Sequence, residues 1–209
     1  MKRNTQLMLL IASTAIIASC GGSNKDNETM EETQNTTTTE EATSAPVTID
    51  VQKSMVTWKG VMLGVKYHEG TVQLKEASLT LNGDQVESGS FIIDLTTIQP
   101  TDDNYNPKEG YSQEKLVGHL SSADFFDVAN HPTASFKINE GSTGMLTIRG
   151  NTHEESITDI KVERNDNMVT VSGKVVFDRQ KYDVSWASPM KDMVLSDEIT
   201  INVKLTGTL

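Results

Sequence analysis

The feature that most constrains this chain is an apolar residue at every second position, in run after run. In SMVTWKGVML (54–63), Val56 and Trp58 share one face of an extended chain, with Thr57 and Lys59 on the other, because successive strand side chains point to opposite sides. GTVQLKEASLTLNG (70–83) sets Val72, Leu74, Leu79 and Leu81 against Gln73, Lys75 and Thr80. GSFIIDLTTI (89–98) sets Phe91, Ile93 and Leu95 against Ser90 and Asp94, and TASFKI and GMLTIRG contribute Phe136 with Ile138 and Leu146 with Ile148. MVTVSGKVVFD (168–178) aligns Val169, Val171, Val175 and Phe177; EITINVKLTGTL (198–209) alternates Ile199, Ile201, Val203 and Leu205 with polar residues. Turn formers separate the runs: Asn82-Gly83-Asp84, Gly141-Ser142, Asn165-Asp166-Asn167 and Ser188-Pro189. Strands at this spacing with short polar connections build an antiparallel barrel or sandwich. The chain is all-β.

One segment departs from the alternation. After the loop QPTDDNYNPKEGY, the stretch SQEKLVGHL places Leu116, His119 and Leu120 at helical spacing, with Ser112 in position to cap the helix. One short helix is expected near 112–121. It runs into GHLSSADFFDVANHP (118–132), a passage with two adjacent phenylalanines, two histidines and a proline.

The N-terminus has the anatomy of an export signal. Lys2 and Arg3 precede an apolar stretch from Leu7 to Ala18, shorter than the roughly 20 residues a spanning helix needs. Ile17, Ala18 and Ser19 then precede the one cysteine of the sequence, Cys20, an arrangement that resembles the bacterial lipobox. Residues 1–19 are expected to be a lipoprotein signal peptide and Cys20 the lipidated residue, since two or more acyl chains anchor a protein stably. Loss of Lys2 and Arg3 moves the formal net charge from −11 to about −13. So acidic a chain excludes nucleic-acid partners, which require clustered Lys and Arg. From 21 to 46 the chain is Thr, Glu and Asn without apolar period. Residues 20–46 are therefore expected to form a disordered tether with a reach of roughly 30 Å, leaving 47–209 as one folded domain.

Chemistry-bearing patterns are sparse. The four histidines, 68, 119, 131 and 153, form no HxH or HxxxH pair, so no metal site is expected. DDNYNP (102–107) begins like a calcium loop but has Pro107 at the glycine position and Gln113 at the bidentate Glu position. SQEK (112–115) matches S-x-x-K without its companion motifs. Asp178 and Arg179 close an apolar strand, either as a weak surface ion pair or with Arg179 paired inward at a barrel mouth. No catalytic residues are assigned.

Several phrases together resemble the YceI-like family of lipid or polyisoprenoid-binding proteins. They are Val56 and Trp58, His68 and Gly70, HLSSADFFDVANHPTASF (119–136), GMLTIRGNT (144–152) and FDRQKYDV (177–184), collinear over nearly all of 47–209. The resemblance implies a lipocalin-like, eight-stranded antiparallel β-barrel with a long isoprenoid amphiphile in its lumen, and no enzymatic activity. Two departures stand out. Asp183 follows Tyr182 where the family often has Gly, and His153-Glu154-Glu155-Ser156 replaces a basic-Pro-Val sequence. Two acids near a mouth would disfavour anionic head groups and so point to a neutral one.

These readings converge on a membrane-tethered barrel in the cell envelope, lipid-anchored and facing the periplasm. Its expected ligand is a quinone or polyprenyl lipid, with no other cofactor, and a dimer is among the open oligomeric states. The candidate lumen residues are Trp58, Phe91, Ile93 and Phe136, with Ile148, Val175, Phe177 and Ile201. His119, Phe125, Phe126 and Arg179 are the mouth candidates, with His119 and Asp127 shaping the crossing. The alternative is a structural or protein-interaction barrel packed shut. A third reading, a hydrolase or isomerase, would show itself as a buried convergence of His and carboxylate.

Overall fold

The computed structural model describes residues 43–63, 66–188 and 194–209. The alternating runs form strands β1 (Ser44–Ile49), β2 (Met55–Leu63), β3 (Lys66–Asn82), β4 (Gln85–Pro100), β5 (Thr133–Glu140), β6 (Thr143–Ile148), β7 (Asn151–Asn165), β8 (Met168–Asp178) and β9 (Val194–Thr208). From β2 to β9 each strand pairs antiparallel with the next, and β9 returns to pair with β2. The eight strands are an up-and-down β-barrel, a closure that leaves no free edge. β1 continues the line of β2 beyond a turn at Asp50–Ser54, bridging β3 and β9 where β2 has ended. Ser44, Ala45 and Pro46 fall within the stretch whose composition reads as tether, yet they pair with Asn82, Leu81 and Thr80. Ladder hydrogen bonds need backbone, not apolar side chains, so composition does not show where the first strand starts.

Cross-strand partners share a face, and register carries the inner layer around the ring. Trp58 lies opposite Ile201, Ile201 opposite Val175, and Val175 opposite Ile157. The switch of apolar phase within β3, from Leu74 to Leu79, coincides with a register shift between Leu74 and Glu76. A bulge of this kind adds a residue on one strand and so keeps both halves facing inward. At one end Phe91 pairs with Phe136, and Phe136 with Leu146. A Cβ on Gly144 would stand 2.5 Å from the Phe136 ring, so only glycine there leaves that ring its place. All three inward residues are buried.

The helix α1 (Gln113–Ser121) crosses from β4 to β5, and Ser112 caps it by accepting a hydrogen bond from the Lys115 N–H at 3.3 Å. A single-turn 3-10 helix, Pro107–Glu109, precedes it, and another, Arg179–Tyr182, follows β8.

Candidate functional site

The lumen towards the α1 side holds a cavity of about 310 Å³. Its floor and walls are the inward alternation of β2, β4, β6, β8 and β9, with Trp58, Ile93, Ile148, Phe177 and Ile201 among them. A smaller chamber of about 100 Å³ lies beyond, lined by Phe91, Phe136 and Val175. Val56, Ile93, Leu146 and Ile201 line both. All eight lumen candidates thus line one chamber or the other, and Ile93 and Ile201 join the two. Trp58 depends on Gly70, its partner across β3: a Cβ there would lie 2.2 Å from the Gln99 oxygen and 2.7 Å from the indole. The indole N–H donates to the Thr71 carbonyl at 3.3 Å, which leaves the ring's apolar face for the cavity.

The cavity opens beside Tyr111 and Lys115, two exposed lining residues. Lys66 stands 3.9 Å over the Tyr111 ring. Deeper in this rim, His68 Nδ1 meets Asp102 Oδ1 at 3.1 Å, and the Asp102 side chain is only 2% exposed. That carboxylate also accepts from the N–H groups of Glu69 and Asn104 and from the Tyr105 hydroxyl. Burial, the largest single influence, pushes the Asp102 pKa up; the backbone hydrogen bonds and His68 outweigh it and hold it below the usual range. Burial and then the Asp102 charge push the Tyr105 pKa upward. Here is a buried convergence of His and carboxylate. The Asp102 carboxylate and His68 Nδ1 fix the 102–105 loop against β3, and the Ser112 hydroxyl of the same rim is the helix cap.

The passage 118–132 roofs the cavity. His119, Leu116 and Leu120 of α1 line it, with Phe125 and Phe126 from the crossing and Trp186 from beyond β8. His119 stands edge-on to Phe125 at 4.7 Å and to Trp186 at 4.9 Å between ring centres. Asp127, at φ 47°, closes the crossing: its N–H donates to the Ser122 carbonyl, and its carboxylate accepts from the Asn130 amide. Arg149 ties the passage down by donating to the Phe125 carbonyl at 2.8 Å and to that of Asp183. Phe125 and Phe126 therefore shape the roof and also line the cavity.

Of the two readings of Arg179, the structure shows the inward-paired one, although the residue itself does not line the cavity. It is 3% exposed, and its guanidinium donates to the carbonyls of Val184 (2.5 Å), Trp186 (3.0 Å) and Ser196 (3.0 Å) and to Asp197 Oδ1 (2.9 Å). It clamps the segment that carries Trp186 to the start of β9. Burial lowers its pKa, against the opposing charges of Asp197 and Asp178. The two acids of HEES lie elsewhere too. Glu155 is buried, accepting from the Tyr182 hydroxyl at 2.9 Å and pairing with Lys181 at 3.5 Å. Glu154 is exposed on β7 and accepts from the Asn139 amide. Neither lines the cavity, so they say nothing about the head group. Burial and then Glu155 push the Tyr182 pKa upward. Asp183 has φ 58°, a conformation glycine adopts freely, and the Asn151 amide steadies its carboxylate at 3.0 Å.

Sequence reasoning did not reach Met62, Tyr111, Lys115 and Trp186 as lining residues. They sit at a strand end, in loops or on the helix, where no period of two applies. Cys20 lies outside the described residues. Among the described residues, no three His, Cys, Asp or Glu side chains gather as a metal site would require.

The family described as the YceI-like domain matches residues 47–207. No curated protein matches the chain. Among solved structures, Burkholderia cenocepacia BcnA superimposes with a TM-score of 0.62 at 21% identity, covering 77% of this chain and 99% of its own. A polyisoprenoid binding domain from Saccharophagus degradans, described as implicated in plant cell wall breakdown, gives 0.54 at 12% identity, covering 79% and 99%. At these identities the likeness establishes the fold.

Proposed function

The chain belongs to the YceI-like domain family, and from that membership and its apolar cavity we propose a membrane-tethered binding protein for an isoprenoid-type lipid. The ligand is a quinone or polyprenyl compound, held for storage, sequestration or transport in the cell envelope. The observation that carries this reading is the apolar 310 Å³ cavity, which opens beside Tyr111 and is continued by the 100 Å³ chamber that Phe91 and Phe136 line. Together with the chamber that continues it, it takes up a prenyl tail, of which about ten carbons serve to gauge the gain. Each buried methylene contributes about 0.8 kcal/mol, so the gross gain is about 8 kcal/mol, reduced by the cost of ordering the chain. The S. degradans relative is itself described as polyisoprenoid binding, which favours this class of tail.

The outer wall beside the opening suits an approach to lipid. Leu63 and Val194 pair there, each more than half exposed, with Val61 and Tyr67 beside them and Lys59 lying 3.6 Å over the Tyr67 ring. Tyrosine and lysine flanking exposed aliphatics is interfacial chemistry. Acylated Cys20 would keep the barrel at the bilayer, and Cys20→Ser is expected to release the chain from the membrane fraction.

The test is a titration of the full chain with prenyl alcohols of increasing length, repeated with Ala134→Phe. Ala134 lines the cavity, and a benzyl group there fills space without displacing a core residue. Affinity is expected to rise with each isoprene unit and then level off, earlier in the variant. Absence of saturable binding, or a variant indistinguishable from the parent, would sink the proposal and favour the packed, ligand-free barrel.

A further inference from the structure

We propose that His119 is the hydrogen-bonding anchor for the ligand's oxygen, and that this oxygen is neutral and held inside the cavity beneath α1. The inference deepens the lipid-binding reading and rests on it. The sign is His119 Nε2, a nitrogen fully shielded from solvent with no hydrogen-bond partner among the described residues. His119 itself is one of the residues that line the mostly apolar cavity. A buried polar atom left unpaired is costly, and nearly all such atoms in native proteins have a partner.

Asp102 engages His68 through Nδ1, the Trp58 indole donates to Thr71, and the Ser112 hydroxyl caps α1, while Tyr111 and Lys115 lie at the exposed rim. His119 is also held still. Edge-on contacts with Phe125 and Trp186 fix its ring, and the clamp of Arg179 on the Trp186 carbonyl fixes Trp186 in turn. A donor or acceptor fixed in this way can select a ligand group by position, because a ligand lacking the group leaves the nitrogen unpaired.

The charge of the partner follows from what surrounds it. The charged side chain lining the cavity, Lys115, is exposed at the rim. An anion drawn in beside His119 would lose its hydration with no buried cation to replace it, a penalty far above that for a neutral group. A hydroxyl or carbonyl oxygen fits: imidazole donates to either in one tautomer, and accepts from a hydroxyl in the other. The ligand class is thus a neutral prenyl alcohol, phenol or quinone whose oxygen reaches the depth of α1.

The experiment compares farnesol with farnesene, the same skeleton without oxygen, by displacement of a fluorescent hydrophobic probe from the delipidated full chain. The parent is expected to favour farnesol by about tenfold, in line with one buried hydrogen bond. His119→Phe should bring that ratio, measured within the variant, to one or below, because the hydroxyl is then buried without a partner, and His119→Gln should keep part of the preference. A readout free of substitution is the imidazole 15N spectrum, in which one Nε2 resonance should shift with farnesol and stay with farnesene. Equal affinity of the parent for both compounds, a preference that survives His119→Phe, or an unmoved 15N spectrum overturns the assignment. Binding of neither compound overturns the lipid-binding reading itself, and the assignment with it.

Discussion

Replacing Arg179 with Met should cost the barrel about 4 kcal/mol. Met keeps much of the aliphatic stem but none of the donors, so the change isolates the guanidinium. Four hydrogen bonds of 2.5–3.0 Å disappear, three to backbone carbonyls and one to Asp197. Each charge-assisted bond is worth about 1.5–3 kcal/mol, but bonds from a single group do not add. Breaking a buried ionic network typically costs about 3–5 kcal/mol. Asp197 is 57% exposed and rehydrates cheaply, whereas the carbonyls of buried Val184 and half-buried Trp186 have no such relief. At roughly 2–4 °C per kcal/mol for a domain of this size, Tm should fall by about 8–16 °C in a circular dichroism melt of the full chain. Arg179→Lys should recover only a fraction, since an ammonium cannot fork to carbonyls on two segments. A Tm within about 3 °C of the parent for Arg179→Met, or a Lys variant equal to the parent, would refute the clamp.

Three further outcomes follow from the same geometry. Tyr105 and Tyr182 have folded pKa values above the unfolded value of about 10; folding is therefore unaffected below that pH, and stability is lost as pH rises from there towards the folded values. The loss should reach about 1.4 kcal/mol per pH unit for each tyrosine, and Tyr182→Phe should halve the alkaline slope of Tm; a flat Tm past pH about 11 contradicts this. Gly70→Ala drives a methyl into the Gln99 carbonyl and the Trp58 ring, so a loss of about 1–3 kcal/mol and altered tryptophan emission are expected, and an unchanged melt would show the strand gap to be wrong. Leu63→Glu with Val194→Glu should slow uptake of a prenyl alcohol from vesicles at unchanged solution affinity; equal uptake rates would remove the role given to the rim.

Much of the barrel was legible because a period of two has one solution once a core exists. Val169, Val171, Val175 and Phe177 are all buried, as their spacing requires. The same period carries further than polarity suggests. Arg179 follows Val175 and Phe177 at intervals of two, and Glu155 precedes Ile157 by two; both point inward and find partners there. For Arg179, charge left a surface ion pair and an inward pairing both open, and register decides for the inward one; for Glu155, charge suggested a mouth that the residue does not line. The roof was harder. Trp186 reaches the cavity only because Arg179 bends the chain after β8, and Tyr111 only because the 3-10 turn at Pro107–Glu109 delivers it to the rim. No local pattern encodes such long-range placement. His119 stood out in the sequence, but whether its nitrogen had a partner depends on rings from Phe125 and Trp186.

The most direct test is native mass spectrometry of the full chain isolated from membranes, with detergent removed before analysis, followed by organic extraction of whatever it carries. The account predicts a discrete added mass that extraction releases as a neutral prenyl lipid. An unliganded mass that stays unchanged on incubation with quinones and prenyl alcohols would contradict it and leave a barrel that binds nothing of this class.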